Sequence, residues 1–385
     1  MSFLTNIASA FKGGADERVP VSRGFVSPWA AAFDTAPHRT GFDYVREASE
    51  AYLSNPVAQR SLRIVAEGVG SAPVVWPCAK MEALVRDACG AQPLLEILAA
   101  HLVMHGNAYV QIVKDAAGVP VDLYPLRPER VQVVAGDDGW PAAYRYVLAE
   151  RTLTIALNDE AGWPNIVHLR AFHPTDDHYG AGCLAAAAQA VAIHNAASQW
   201  NRSLLANAAR PSGALVYDGG DAAGLSAEQF DRLKAELAAA FQGQANAGRP
   251  MLLEGGLDWK AMSLSPADMD FATLKAAAAR DIALAFGVPP MLLGLPGDNT
   301  YANYREANRA LWRLTLLPLA TRILTGLQAG MHDWFAKAPS VDLDRVPALA
   351  QDRESLWAQV SGADFLDADE KRSLLGLPTR EGSTT

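Results

Sequence analysis

Apolar positions recur at two different spacings along this chain, and the switches between them divide it. From Ser54 to about Val69 they fall at helical spacing, with Ser54 or Asn55 placed to cap and Pro56 in the first turn. A second helical run covers about Leu94 to His105 and is stopped by Gly106. Beyond Gly106 the period becomes two. NAYVQIVKD, VPVDLYPL, RVQVVAG, AAYRYVLAE and NIVHLRAF are short strand-like segments split by Gly, Pro and Asp clusters, and Pro120, Pro125 and Pro128 push some of them towards edges or bulges. The pattern predicts an α+β unit, preceded by a Pro-containing arm over residues 1–50.

From about Cys183 the spacing is helical again, and longer. Ile193, Ala197, Trp200 and Leu204 form one stripe of a helix reaching about Asn207, with Asn195, Gln199, Arg202 and Asn207 elsewhere around it. PSGALVYDGG then reads as strand and turn, LSAEQFDRLKAELAAAFQG as a helix, and RPMLLEGG and LDWKAMSLS as two further strands. A small α/β module is thereby inserted before a second long helix, about Asp268 to Phe286, with Phe271, Leu274, Ala278, Ile282 and Ala285 on one face. That helix ends in GVPPMLLGLPGDN, and a third long helix runs from near Thr300 to about Gly330. Pro318 inside it removes a backbone donor and crowds the preceding turn, which predicts a kink. Short helices are expected over Val346–Val360 and Asp367–Leu375.

Composition narrows the function. Of 385 residues, 50% are hydrophobic and 19% charged, enough apolar surface for more than one packed unit. The formal net charge of −9 argues against a protein that grips DNA through many phosphate contacts, although an acidic chain can let DNA pass without sticking. Cys78, Cys89 and Cys183 form no CxxC pair and suggest a reduced compartment. The N-terminal MSFLTNIASAFKGG has neither the basic nor the apolar region of a signal peptide, and no run reaches the length of a membrane span.

Candidate chemistry is sparse. GxxxxGK[ST] and GxSxG are both absent. In HLVMH, His101 and His105 lie one helical turn apart and could share a metal, with His173, Asp176, Asp177 and His178 of HPTDDH as further ligands; a metal-dependent hydrolase is the enzymatic alternative. Leu102 stands where the HExxH motif needs glutamate, however, and His105 precedes a helix-ending glycine, so capping and surface roles account for the pair. HPTDDH reads as a Pro-led turn entering a helix. Met291, Leu292 and Leu293 fit a plug at a helix corner or an exposed partner patch, and Trp200 and Trp312 fit packing. No catalytic, cofactor or metal residue is assigned.

The order of these words carries a resemblance. NPVAQRSLRIVAEGVGSAPVVW, HGNAYVQIVKD with VPVDLYPLRPERVQVV, LAFGVPPMLLG, NTYANYREANRALWRLTLLPL and DADEKRSLLGLP run from about residue 54 to 378 and resemble the phage portal protein family, in the subfamily of phages with HK97-type capsids. The resemblance implies an α+β portal fold and a homo-oligomeric ring, dodecameric in relatives, at one capsid vertex of a virion, prophage product or gene transfer agent. It implies an arm and α/β wing over 1–182, stem helices at 183–210 and 267–293, and a clip at 211–266. A tunnel loop follows at 294–300, then a long kinked helix returning to the wing at 301–340, and a short crown and tail at 341–385. Gly294, Leu295, Pro296, Gly297, Asp298, Asn299 and Thr300 would line the narrowest part of a channel for double-stranded DNA. From Asp281 to Tyr304 there is no Lys or Arg that would trap phosphate. The implied partners are the major capsid protein, the large terminase subunit, a head-tail adaptor and DNA held without sequence specificity, with no membrane. A capsid or adaptor subunit is the non-enzymatic alternative.

Overall fold

The computed structural model describes residues 43–206, 213–217, 257–261, 271–295 and 301–377, so the arm over 1–42 and most of the inserted module lie outside the described residues. Helix α1 (Tyr44–Ala48) opens on Asp43, whose carboxylate accepts from the amides of Val45 and Arg46, and continues into a π turn at Ser49–Leu53. Helix α2 (Pro56–Gly70) begins where the pattern places it. Asn55 rather than Ser54 is its cap, accepting from the amides of Val57 and Ala58. A short strand β1 (Val74–Val75) and helix α3 (Ala79–Arg86) follow; the sequence reading named neither as an element. Helix α4 (Leu94–His105) ends at Gly106, whose φ of 85° is the left-handed conformation that glycine adopts without a Cβ penalty.

Strands β2 (Asn107–Lys114), β3 (Pro120–Leu126) and β7 (Ile166–Arg170) make one antiparallel sheet in the order β3-β2-β7. Strands β4 (Val131–Ala135), β5 (Pro141–Leu148) and β6 (Arg151–Ala156) make another in chain order. Strand β6 was not separated from its neighbours by periodicity, because five of its six residues are exposed and no alternation shows. The first sheet is covered on both faces. Ala108, Val110, Ile112, Val167 and Leu169 join the helical core, whereas Tyr109, Leu126 and Ile166 meet Val131, Tyr144, Tyr146 and Ile155 of the second sheet. This accounts for the nearly continuous apolar run in β2.

Helix α5 (Cys183–Ala206) and helix α6 (Phe271–Ala285) pack together as the two arms of a hairpin. Their root ends are buried in the helical core through Leu184, Ala187, Val191, Ile282 and Phe286. Between them, β8 (Gly213–Tyr217) and β9 (Leu257–Ala261) pair antiparallel, Gly213 opposite Ala261. Beyond α6, residues Pro290–Leu293 form a 3₁₀ turn. The third long helix is present in three pieces: α7 (Tyr301–Leu311), a π turn (Trp312–Leu316) and α8 (Leu317–Gly330). Gly326 and Gly330 of α8 let its backbone approach the side chains of Leu169 and Val167, where a Cβ would collide. Strand β10 (Ser340–Val341) returns to pair with β1. Helix α9 (Ala350–Ser361) and helix α10 (Ala368–Leu374) finish the described chain, the latter with a capping box between Asp367 and Glu370.

Three readings are corrected. HPTDDH enters no helix: Asp176 accepts from the amides of His178 and Tyr179 in a turn, and the next helix waits until Cys183. Local Asp-to-amide bonds compete with helix formation, and here they win. His194, outside the predicted apolar stripe, is buried in the α5 interface, while Ile193 is only partly covered. Leu274 of α6 is 43% exposed despite lying on the predicted apolar face.

Candidate functional site

Two joints position everything the helical hairpin carries, and the first lies at its root. Asn55, itself buried, uses its carbonyl oxygen to cap α2 and its amide nitrogen to reach α5. The Nδ2 group stands 3.1 Å from His194 Nδ1 and 2.9 Å from Asn195 Oδ1. Donation to Nδ1 makes His194 the neutral Nε2–H tautomer, and burial lowers its pKa, with nearby Lys275 adding to the effect. Asn195 in turn donates to the carbonyl of Glu50 in the first π turn. One asparagine therefore fixes the start of α2 and the height of α5 together.

At the other side of the root two chain segments cross backbone to backbone. Gly106 lies against residues 180–182, Gly180 against Gly106 and Ala171, and Gly182 against Met104 and His105, all closer than any side chain would permit. Asn107 seals the crossing. Its Nδ2 donates to Gly180 O and its Oδ1 accepts from Gly180 N at 2.7 Å. The same side chain bridges two histidines: Nδ2 to His105 Nδ1 and Oδ1 from His168 Nε2, each 3.1 Å. Tyr109 stacks on His168, and Tyr44 sets its edge against His105. Burial holds His105 and His101 near a pKa of about 4 and His168 near about 3.

These values correct the capping role expected for His105. It is neutral and enclosed and offers no positive charge to the end of α4. His101 Nδ1 is buried without a hydrogen-bond partner in the structure. Among the described residues no three His, Cys, Asp or Glu side chains are grouped to hold a metal ion. His173 instead accepts from the amide of Thr175 in its own turn.

The second joint is where α6 ends. Gly287 has φ of 67°, its amide donates to Leu284 O, and the amide of Val288 donates back to Ala283 O. That pair of bonds is a Schellman termination, and Val288 and Ala283 are both buried beneath it. The carbonyl of Gly287 accepts 2.7 Å from Thr315 Oγ1, which belongs to the π turn between α7 and α8. Leu317 N–H bonds Trp312 O, an i→i−5 link, directly before Pro318. The π turn thus lies directly ahead of Pro318, where a wider loop accommodates a ring that cannot donate.

Met291, Leu292 and Leu293 are partly buried, Leu292 and Leu293 against the helical core, as a plug would be. Trp312 packs there too. Gly294 follows with φ of 70° and open space around it. Of the predicted loop, Gly294 and Leu295 are described, whereas Pro296, Gly297, Asp298, Asn299 and Thr300 lie outside the described residues. The first turn of α7 is exposed from Ala302 to Glu306, and burial rises towards Leu311.

Comparison with known proteins agrees with this arrangement. The family model described as "Phage portal protein" matches residues 83–376. A Rickettsia felis protein is 40% identical over 352 residues, covering 87% of this chain and 89% of the relative. The portal protein of Enterobacteria phage HK97 is 25% identical over 260 residues, covering 67% of this chain and 57% of its own. A structure described as the neck of a native gene transfer agent particle, computed with C12 symmetry, contains a chain with 46% identity and a TM-score of 0.67. That match covers 91% of this chain and 98% of the other.

Proposed function

The chain belongs to the phage portal protein family, of the HK97 type, and on that premise we propose that copies of it close into a twelve-membered ring at one vertex of a virion or gene transfer agent particle. A portal is a structural part, not an enzyme, and α+β architecture with a helical hairpin at its centre suits that role. The observation that carries the ring is the 46% identity, across nearly the whole chain, to a protein found in a C12-symmetric neck.

In this reading α5 and α6 are the stem, and residues 211–266 are the clip that meets the terminase and later the head-tail adaptor. The two sheets with α2 and α4 are the wing, which faces the major capsid protein. The loop over 294–300 lines the narrowest part of the DNA channel, and the long helix bends at the π turn before Pro318. What supports the loop assignment is position: the joint at Gly287 delivers the chain away from the stem root, and the exposed first turn of α7 takes it back. Few cations there would leave phosphate nothing to grip.

Native mass spectrometry and negative-stain images of purified protein test the ring. Twelvefold particles are expected. A monodisperse monomer at high protein concentration, unchanged by adding the cognate major capsid protein, would overturn the reading.

A further inference from the structure

The two larger sheets leave four edge strands, and three of them are closed. Strand β3 carries Pro120 and Pro125. The Val133 amide of β4 donates to Tyr179 Oη at 2.9 Å, and β7 is buried along most of its length. Strand β6 is different. Its ladder with β5 runs without a register shift from Ala143 opposite Ala156 to Leu148 opposite Arg151. The bond from Leu157 N to Ala142 O fixes the alternation along it. Arg151, Leu153 and Ile155 turn their backbone groups to β5, and Thr152 and Thr154 turn theirs outwards. No proline and no bulge blunts this edge, and RTLTIA is rich in β-forming residues. Among the described residues no other strand pairs with it.

The side chains around the edge select what can lie there. Leu148 and Leu153 face a groove of about 410 Å³ between the two sheets, which Tyr124, Arg127 and Arg130 also line. Tyr124, Leu148 and Leu153 are 40–58% exposed, so the groove offers apolar surface. Arg151 shares the inner face with Leu153, and Arg145 stands opposite Thr154 on the outer one. Arg130, Arg145 and Arg151 have no ion pair among the described residues, and Arg127 meets Glu129 at 4.0 Å. The carboxylates adjoining these four in the chain are Glu129 and Glu150, so the edge is locally basic in a chain of net charge −9. A second copy is a poor occupant. Pairing β6 with β6 is isologous and two-fold, whereas a closed ring needs a heterologous contact, and that step alone rests on the portal reading.

We propose that the β6 edge takes up an extended acidic segment of another protein as an added strand. The backbone of that segment bonds to Thr152 and Thr154, an apolar side chain covers Leu153 at the groove, and carboxylates meet Arg151 and Arg130.

The test uses the full chain, with its assembly recorded by native mass spectrometry so that failure of the ring is read separately. The probe is the fluorescein-labelled peptide Ser-Glu-Thr-Val-Thr-Glu-Ser, titrated by anisotropy while hydrogen exchange follows the amides of Thr152 and Thr154. Binding with slowed exchange at both amides is expected. Thr154→Pro removes an outward donor, leaves the β5 ladder intact, and should weaken binding roughly fivefold, the worth of one hydrogen bond. Arg151→Glu should weaken the acidic probe and favour the same peptide with Lys in place of Glu. Absence of binding by the acidic probe would overturn the proposal. So would equal binding by the lysine peptide, or by an acidic peptide N-methylated along its pairing edge. Amides of Thr152 and Thr154 already protected before the probe is added would assign the edge to a second copy and overturn it too. If Thr154→Pro does not fold, the N-methylated peptide makes the same discrimination.

Discussion

Asn55 and His194 are 139 positions apart in the chain and 3.1 Å apart in the fold, and the amide that joins them belongs to a residue whose other end caps a helix. Replacing Asn55 by alanine removes the cap, about 1 kcal/mol, and leaves His194 Nδ1 buried without a donor, about 1–3 kcal/mol more. We expect Asn55→Ala to lower unfolding stability by roughly 2–4 kcal/mol in urea titrations. Asn55→Asp, which keeps the cap but cannot donate, should also be destabilised. Equal stability of Asn55→Asp and the parent would show that the contact to α5 contributes nothing.

Acid should weaken the packing around α4, β2 and β7 before it touches any carboxylate. His101, His105 and His168 have folded pKa values of about 4, 4 and 3, below the ordinary 6.5. The unfolded chain therefore binds protons that the folded chain refuses, and stability falls as pH drops from about 6.5 towards 4, being flat above that. Each histidine contributes a slope of up to ~1.4 kcal/mol per pH unit. Urea midpoints measured from pH 7.5 to 4.5 should decline, and His168→Phe should make the decline shallower. A parent profile without slope in this range would mean the cluster is open to water.

Gly106 and Gly294 both adopt positive φ, yet their surroundings differ. Gly106→Ala combines that strain with a collision against residues 180–182 and should prevent native packing or cost more than ~3 kcal/mol. Gly294→Ala meets open space and should cost only about 1 kcal/mol. Thermal melts of the two variants separate these outcomes, and similar losses would contradict the backbone crossing.

For the channel, the decisive substitution is Asp298→Lys. One added cation per subunit would form a collar that pairs with phosphate. Rings should assemble as before, while DNA transit slows, most of all at low salt because the attraction is screened. Particle-associated DNA measured at two ionic strengths reads this directly, and unimpaired transit by wild-type-like rings would place the loop away from DNA.

What the sequence made legible follows from the range of the forces involved. Asn55, Gly106, Gly287 and the run from Tyr301 to Gly330 announce helix ends and lengths through local chemistry, and those features appear where the pattern puts them. The family words carried the overall assignment. The bridge from Asn107 to His105, His168 and Gly180 was illegible, because two of those partners, His168 and Gly180, are brought to it only by strand pairing and a crossing loop. The π turns have no composition of their own. Pro318 hinted at trouble in the preceding turn, but nothing in WRLTL says that the solution is one residue of slack.

The root of the helical hairpin also has a mechanical consequence. With 24 residues, α5 is about 36 Å long. A lever of that length turns a tilt of about 3° at its base into a displacement of roughly 2 Å at its tip, most of the width of a hydrogen bond. Such gain is tolerable only if the pivot has no play. The interlocked glycines at 106, 180 and 182 act as that pivot: with no side chains between the two strands of backbone, there is nothing compressible to absorb the rotation, so a push on the hairpin is felt at the end of α4 and the start of β2.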